Sequence, residues 1–386
     1  MKKKIKIACV TGTRADYPRV KSVLKEIRKR DEIFDLYIIA TGSHLLKEYG
    51  YSIQEIYDDG FEVSHKVNMF ENEFNTPYSM TKAVAKCCDG VADALHDIQP
   101  DLALITVDRV ETLAATVAAS MMNLPIAHIQ GGEVTGTIDE SIRHAVTKLS
   151  HIHFPATEDA QKRIIMMGEN KKYVFNVGCP YIDVIKNVDF VDKEFLAKKY
   201  NFNSEKKIII FTQHAVTTEF GDSFNQINTT LNALKGFQDH EILSFYSNTD
   251  AGGREIISKI KNDTNFTLIP NMKSSDFLSL MNCADLMIGN SSAAIREAPS
   301  FSLPAINIGT RQNGRLRAIN VIDTDFNHNQ IVHAINKALY DEEFLKSIKD
   351  MDNPYGNGKS AKKIVDIIEN IDDFNSLVQK EICYDI

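Results

Sequence analysis

The sequence predicts an α/β protein of two similar domains, each a parallel sheet with helices on both faces. Three observations carry this. Short apolar, β-rich runs alternate with segments of helical period, the pattern of repeated strand–helix units. That alternation restarts after a charged stretch at 189–207. The length, 386 residues, is too great for one ordinary core and suits two domains of about 150–200 residues each.

Each element follows from its local pattern. The apolar run at 5–10 stops at Gly12 and reads as a buried strand, and the helix at 18–29 carries Val20, Val23, Leu24 and Ile27 on one face. A second strand at 36–40 ends on Thr41-Gly42-Ser43. Met80, Val84, Val91, Leu95 and Ile98 fall near the 3.6 period and predict a long helix over 78–98. Strands at 102–107, 126–129 and 152–155 alternate with helices at 111–122, 137–150 and 158–168. The run 175–178 closes the first unit at Gly178-Cys179-Pro180, which puts a boundary near 180–195. The second unit has strands at 208–212, 242–247, 266–269, 286–289 and 301–308, with helices at 224–237, 253–262, 274–282 and 293–299. The tail from 359 to 377 reads as one helix. The expected division is 1–185, 186–360 and 361–386.

Composition narrows the function classes. Apolar residues at 43% and charged residues at 25% are ordinary for a globular chain. A formal charge of -8 argues against a general nucleic-acid binder, though it leaves room for a local basic pocket. The N-terminal apolar stretch is only 7–10, too short for a signal-peptide core, and no window suits a membrane span. Six scattered cysteines read as reduced thiols of a cytoplasmic protein, with Cys87 and Cys88 as helix neighbours rather than a redox pair.

In doubly wound sheets ligands sit outside the carboxyl ends of the strands. The polar clusters lie at those ends, at 11–16, 41–44, 108–111, 130–140, 213–219, 247–254, 289–297 and 309–317. Gly289-Asn290-Ser291-Ser292 opens a helix, and such a turn either binds phosphate with free N–H groups or merely caps the helix. Glu297, a turn further on, would reach a ribose from there. No GxGxxG and no GxxxxGK[ST] is present, which removes support for nicotinamide and P-loop chemistry. Arg14 would face a phosphate. Asp108-Arg109 sets a carboxylate beside a guanidinium, Asp139, Glu140 and Arg143 surround a helix start, and His214 is suited to proton transfer. His151-x-His153 lacks a completing ligand and reads as structural.

Taken in order, Gly-Thr-Arg-Ala-Asp-Tyr (12–17), Thr-Gly-Ser-His (41–44), Asp-Arg (108–109), His-Ile-Gln-Gly-Gly-Glu (128–133), Gly-Thr-Ile-Asp-Glu-Ser-Ile-Arg-His (136–144), Gln-His-Ala-Val-Thr-Thr (213–218), Asp-Ala-Gly (250–252), Gly-Asn-Ser-Ser (289–292) and Gly-Thr-Arg-Gln-Asn-Gly-Arg (309–315) resemble the hydrolysing UDP-N-acetylglucosamine 2-epimerases of sialic acid biosynthesis. The resemblance spans about residues 5 to 370. It implies a GT-B fold, two Rossmann-like domains with an interdomain cleft, and a C-terminal helix crossing back to the first domain. It implies conversion of UDP-N-acetylglucosamine to N-acetylmannosamine and UDP, with no nicotinamide or metal cofactor. It also implies a homodimer or homotetramer, and no nucleic-acid or membrane partner. By matching position Arg14, Arg109, Ser291, Ser292, Glu297 and Arg311 would hold the nucleotide, with Asn248 and Asn271 at its pocket and His44 and Arg143 on the substrate side. Asp108, Asp139 and His214 match the catalytic positions. Gln130 stands where the family usually has an acid; an amide cannot be a base, so Glu133 or Asp139 would take that role, or the sugar differs. Relatives acting on 2,4-diacetamido-2,4,6-trideoxyhexoses vary in this stretch. A GT-B glycosyltransferase and a silent nucleotide-sugar sensor are the competing readings.

Overall fold

The computed structural model describes residues 3–70, 76–136, 138–219, 221–248, 250, 252–263 and 266–383. The first half runs β1 (Ile5–Thr11), α1 (Tyr17–Arg28), β2 (Phe34–Thr41), α2 (Ile53–Asp58), β3 (His65–Val67), α3 (Pro77–Ile98), β4 (Leu102–Thr106), α4 (Val110–Met121), β5 (Ile126–Ile129), α5 (Ile138–Leu149), β6 (Ile152–Phe154) and α6 (Glu158–Met166). Helices α7 (Pro180–Lys186) and α8 (Lys193–Tyr200) lead to β7 (Ile208–Thr212), α9 (Ser223–Leu234), β8 (Glu241–Phe245), α10 (Gly253–Asp263), β9 (Thr267–Ile269), α11 (Ser274–Cys283), β10 (Leu286–Gly289), α12 (Ala293–Arg296), β11 (Ala305–Ile308), β12 (Val321–Thr324), α13 (His328–Tyr340), α14 (Glu342–Ser347) and α15 (Ser360–Glu369).

Two six-stranded sheets result, ordered β3-β2-β1-β4-β5-β6 and β12-β11-β10-β7-β8-β9, with parallel pairing throughout. Read from its own first strand, each sheet has the same doubly wound order, and each reverses direction once, between β1 and β4 and between β7 and β10. The strands are apolar without alternation because both faces are covered. Ile7 and Cys9 enter one core layer, while Ala8 and Val10 enter the other. In β7, Ile208 and Ile210 face one layer, and Ile209 and Phe211 the opposite one.

The chain returns at its end to the first sheet. Ala361, Ile364, Val365 and Ile368 of α15 belong to the core layer that holds Val20, Leu24 and Ile27 of α1. The start of α15 is fixed by Asp183 on α7, whose carboxylate accepts the Ser360 and Ala361 N–H groups at 3.0 and 2.7 Å. An acid at a helix N-terminus satisfies donors that have no intrahelical partner.

Four expectations change. The tail at 359–377 is not one helix: α15 stops at Glu369, and only a short 3-10 turn, Asn375–Leu377, follows. The strand expected at 301–308 begins at Ala305, since Ser302 adopts φ +50 and Pro304 offers no N–H to a ladder. The helix expected at 293–299 stops at Arg296 and continues as a 3-10 turn, Ala298–Phe301. The charged boundary stretch contains α8, whose N-cap is Asp192. Thr137, the expected first residue of the helix at 137–150, lies outside the described residues, as do Thr249 and Ala251 in the cluster at 247–254.

Candidate active site

The four strand ends at the two reversals face a single cleft. From β1 come Thr13, Arg14 and Ala15, and from β4 come Asp108 and Arg109. From β7 comes His214, and from β10 come Ser291 and Ser292. Ligands of doubly wound sheets bind at such reversals, and here both open on the same cleft.

Beyond β1, the Asp16 carboxylate accepts the N–H groups of Gly12, Thr13 and Tyr17, each at 2.8 Å, and so shapes the turn that carries Arg14. The Arg14 guanidinium reaches across the cleft and donates to the carbonyls of Pro270 (2.6 Å) and Tyr246 (2.9 Å). Burial lowers its pKa to about 10. On α1, Arg19 donates to Glu297 at 3.0 Å and to Ser292 Oγ at 3.3 Å, another bridge between the halves.

Beyond β4, Arg109 forms a two-pronged pair with Asp250 of the other half, at 2.7 and 3.2 Å. Burial acts to raise the pKa of Asp250, but Arg109, with Arg311, outweighs it and holds the carboxyl low. Asp108 meets the guanidinium of Arg143 and lies 3.6 Å from that of Arg315. Asp139, at the start of α5, lies 3.5 Å from Arg311. Burial, with Asp250 adding to it, raises its pKa against the pull of Arg109.

His214 is fixed on three sides. Its N–H donates to Asn290 Oδ1 at 2.7 Å, and its carbonyl accepts from Asn290 Nδ2 at 2.9 Å. The Asn248 N–H donates to its ring Nδ1 at 3.1 Å. A nitrogen that accepts cannot carry the proton, so the neutral ring is protonated at Nε2. Burial and then Arg311 hold its pKa well below 6.5. The ring therefore offers an N–H donor. Gly289, at φ +130, turns the chain after β10; any side chain there would run into the Thr212 carbonyl.

Six arginines line the cleft (Arg14, Arg19, Arg109, Arg296, Arg311, Arg315) against four carboxylates (Glu55, Asp108, Asp139, Glu297), a local excess of positive charge in a chain of net charge -8. Phe245, Met272 and Phe277 add an apolar wall. Such a pocket accepts a flat ring and a dianion together.

Of the residues singled out from sequence, Arg14, Asp108, Arg109, Asp139, His214, Asn248, Ser291, Ser292, Glu297 and Arg311 converge on this cleft. Six others are not in its wall; one of them, Glu140, accepts the Thr135 N–H at 2.9 Å. Gln130, at φ +63, donates to Cys179 Sγ at 2.6 Å and accepts from Arg296 at 3.3 Å, so it ties the halves together behind the site. Glu133 is ion-paired with Arg296; burial works against its charge, but Arg296 and then Arg315 lower its pKa. The His44 ring is buried between Thr11 Oγ1 (3.1 Å) and Ser52 Oγ (2.8 Å), while its neighbour Ser43 reaches the cleft. Arg143 is fully buried beneath Asp108 and donates to the Glu133 carbonyl at 2.7 Å. Asn271 packs on Gly50, and Met272 takes the cleft position.

Arg19, Asn290, Arg296 and Arg315 were not singled out. Arg19 sits among the apolar positions of a helix face, where an arginine reads as misplaced until its carboxylate partner is seen. Arg315 closes the run Gly-Thr-Arg-Gln-Asn-Gly-Arg, and that motif could have flagged it. Among the described residues no three His, Cys, Asp or Glu side chains are placed to hold a metal ion, and no helix is long and apolar enough to cross a membrane.

Comparison with known proteins gives concordant findings. A family model described as UDP-N-acetylglucosamine 2-epimerase matches residues 25–369. The chain is 35% identical to the UDP-N,N'-diacetylbacillosamine 2-epimerase (hydrolyzing) of Legionella pneumophila, covering 97% of this chain and 98% of that one. It is 36% identical to the GDP/UDP-N,N'-diacetylbacillosamine 2-epimerase (hydrolyzing) of Campylobacter jejuni, covering 84% and 85%. It is 32% identical to a UDP-N-acetylglucosamine 2-epimerase of Neisseria meningitidis, covering 97% and 98%. Among solved structures, that of UDP-GlcNAc 2-epimerase from Neisseria meningitidis bound to UDP-GlcNAc is similar in fold, with TM-score 0.79, 21% identity and coverage of 94% and 99%.

Proposed function

The chain belongs to the UDP-N-acetylglucosamine 2-epimerase family, and from that premise we propose that it is a hydrolysing 2-epimerase, which releases UDP and the free 2-epimeric sugar from a UDP-linked 2-acetamido sugar. The observation that carries the reading is the meeting of Asp108, Asp139 and His214 with six arginines in one cleft. We assign the sheets to domains 1–185 and 186–360, with 361–386 crossing back.

The C2 proton of such a sugar is weakly acidic. A carboxylate takes it, the C–H electrons form a C1=C2 bond, and the C1–O bond breaks so that UDP leaves with its electron pair. Water then adds at C1, and a proton returns to C2 on the opposite face. Two faces need two acid/base groups. In our assignment Asp139, whose carboxyl is the more basic for its burial, removes the C2 proton. Asp108, held between Arg143 and Arg315, serves the other face. The neutral His214 donates its Nε2–H toward the leaving oxygen. Arg14, Arg109, Arg311, Ser291 and Ser292 neutralise the departing diphosphate where its charge grows. Glu297 takes the ribose, and Phe245, Met272 and Phe277 the base.

For the sugar, the likeness to the Legionella and Campylobacter enzymes supports a 2,4-diacetamido-2,4,6-trideoxyhexose. UDP-N-acetylglucosamine is the second reading, supported by the Neisseria enzyme. Initial rates of UDP release from both sugars decide. The first reading expects kcat/KM about 10²-fold higher for the diacetamido sugar, within what lost polar contacts to an analogue cost. The reverse order moves the assignment to UDP-N-acetylglucosamine, and no release from either removes the hydrolysing reading.

A further inference from the structure

We propose that His128 is a positioning residue for this site, pinning the peptide of Val107 in a left-handed turn that sets where Asp108 and Arg109 stand. Only the kinetic part of its test rests on the proposed function. Val107 follows β4 at φ +62 and is buried. A β-branched side chain strains in that region, and such a conformation persists only where the surroundings over-determine it. Two hydrogen bonds with the β5 segment do so. The Val107 N–H donates to the Ile129 carbonyl at 3.0 Å, and the Val107 carbonyl lies 2.8 Å from His128 Nε2. A carbonyl only accepts, so the ring proton is on Nε2, and Nδ1 is left to accept the Thr147 hydroxyl at 3.4 Å.

The ring is built into place. His128 is fully buried, and burial brings its pKa down to about 3, so it stays neutral through any ordinary assay range. A Cβ on Gly131 would stand 2.7 Å from His128 Nδ1 and 3.0 Å from Thr147 Oγ1, so glycine there makes room for the pair. Rotation of the Val107 peptide would carry Asp108 away from Arg143 and Arg315, and Arg109 away from Asp250.

The strain is tested by melting Val107→Gly against Val107→Ala. Both lose the branched side chain. At an ordinary site alanine is the more stable, because glycine has the freer unfolded chain. At φ +62 the order inverts, and Val107→Gly melts higher; Val107→Ala melting at or above Val107→Gly overturns the strain, whether or not turnover is found. The positioning role is tested with His128→Leu, which removes the donor. In the native background kcat falls by about 10²-fold, the scale of a small misplacement of reacting groups, with KM and the pH profile kept. In the Val107→Gly background, where no strain has to be held, the same change costs less than about tenfold, a coupling expected of contacting residues. Equal losses in both backgrounds overturn the role. Should His128→Leu not fold, His128→Gln replaces it. Its amide N–H keeps a donor, so kcat stays within about tenfold of the native value, and a 10²-fold loss overturns the role.

Discussion

Replacing Glu111 by glutamine should stabilise the protein above neutral pH and do little in acid. Glu111 lies in the first turn of α4 at 1% exposure, and no other residue donates a hydrogen bond to its carboxylate oxygens. The nearest compensation is Arg109 Nε at 3.8 Å. Burial outweighs it and raises the carboxyl from 4.5 to about 7. A carboxyl raised on folding holds its proton more tightly in the native state. Stability is therefore greatest below the unfolded value, falls as pH rises from 4.5 toward 7, and levels off above that. A shift of 2.5 units, 7 less 4.5, at 1.36 kcal/mol per unit amounts to about 3 kcal/mol at pH 8. Glutamine has the same shape and no charge to desolvate. At about 2.1 cal/mol/K per residue over 386 residues, 3 kcal/mol is a rise in Tm of about 4 °C. Calorimetric melts of Glu111→Gln and the native protein at pH 8 and pH 5 measure this: about 4 °C at pH 8, shrinking to about 1 °C at pH 5. An equal shift at both pH values, or a less stable variant at pH 8, would refute the argument that burial rather than pairing governs this carboxyl.

Other expectations concern turnover and binding. Asp108→Asn and His214→Ala should each lower kcat by about 10² or more, the scale of an acid/base group; steady-state rates check this, and near-native turnover removes that residue from the reaction. Asp139→Asn should lose about 10² or more in kcat, while Gln130→Met, whose side chain lies behind the cleft, should keep turnover within about tenfold. A Gln130 variant as damaged as the Asp139 variant would return Gln130 to the chemistry. Arg14→Ala should raise the Kd for UDP by about tenfold or more, read by calorimetric titration, because a diphosphate would take over the donors now held by Pro270 and Tyr246. An unchanged affinity places Arg14 outside the phosphate site.

Much of the fold was legible because each buried parallel strand is a continuous apolar run closed by a polar turn, as Ile208–Thr212 before Gln213-His214 is. What escaped lay at edges and in the crossover. β3 and β12 are short outer strands, and α7 and α8 are short helices at the crossover between the halves. Helix α13 carries Ile331, Ile335, Ala338 and Leu339 at helical spacing on a buried face, a pattern as regular as those of the helices before it. In the site, residues on strand ends could be placed from sequence because the turn fixes their direction. Gln130 could not. It also ends a strand, but its left-handed backbone turns the side chain toward Cys179 instead of the cleft. Arg19 and Arg296 act through partners on the opposite half, and Asn290 through His214, which lies in its own half but 76 residues away in sequence; no local pattern encodes pairings so distant.

The account rests on breaking and remaking the C2–H bond. Turnover of the UDP-linked sugar in D2O, followed by proton NMR and mass spectrometry of the released sugar, tests this most directly. The account predicts free UDP and a 2-epimeric sugar that carries one deuterium at C2. A released sugar that retains its C2 proton and configuration would contradict elimination and point to simple hydrolysis or transfer at C1.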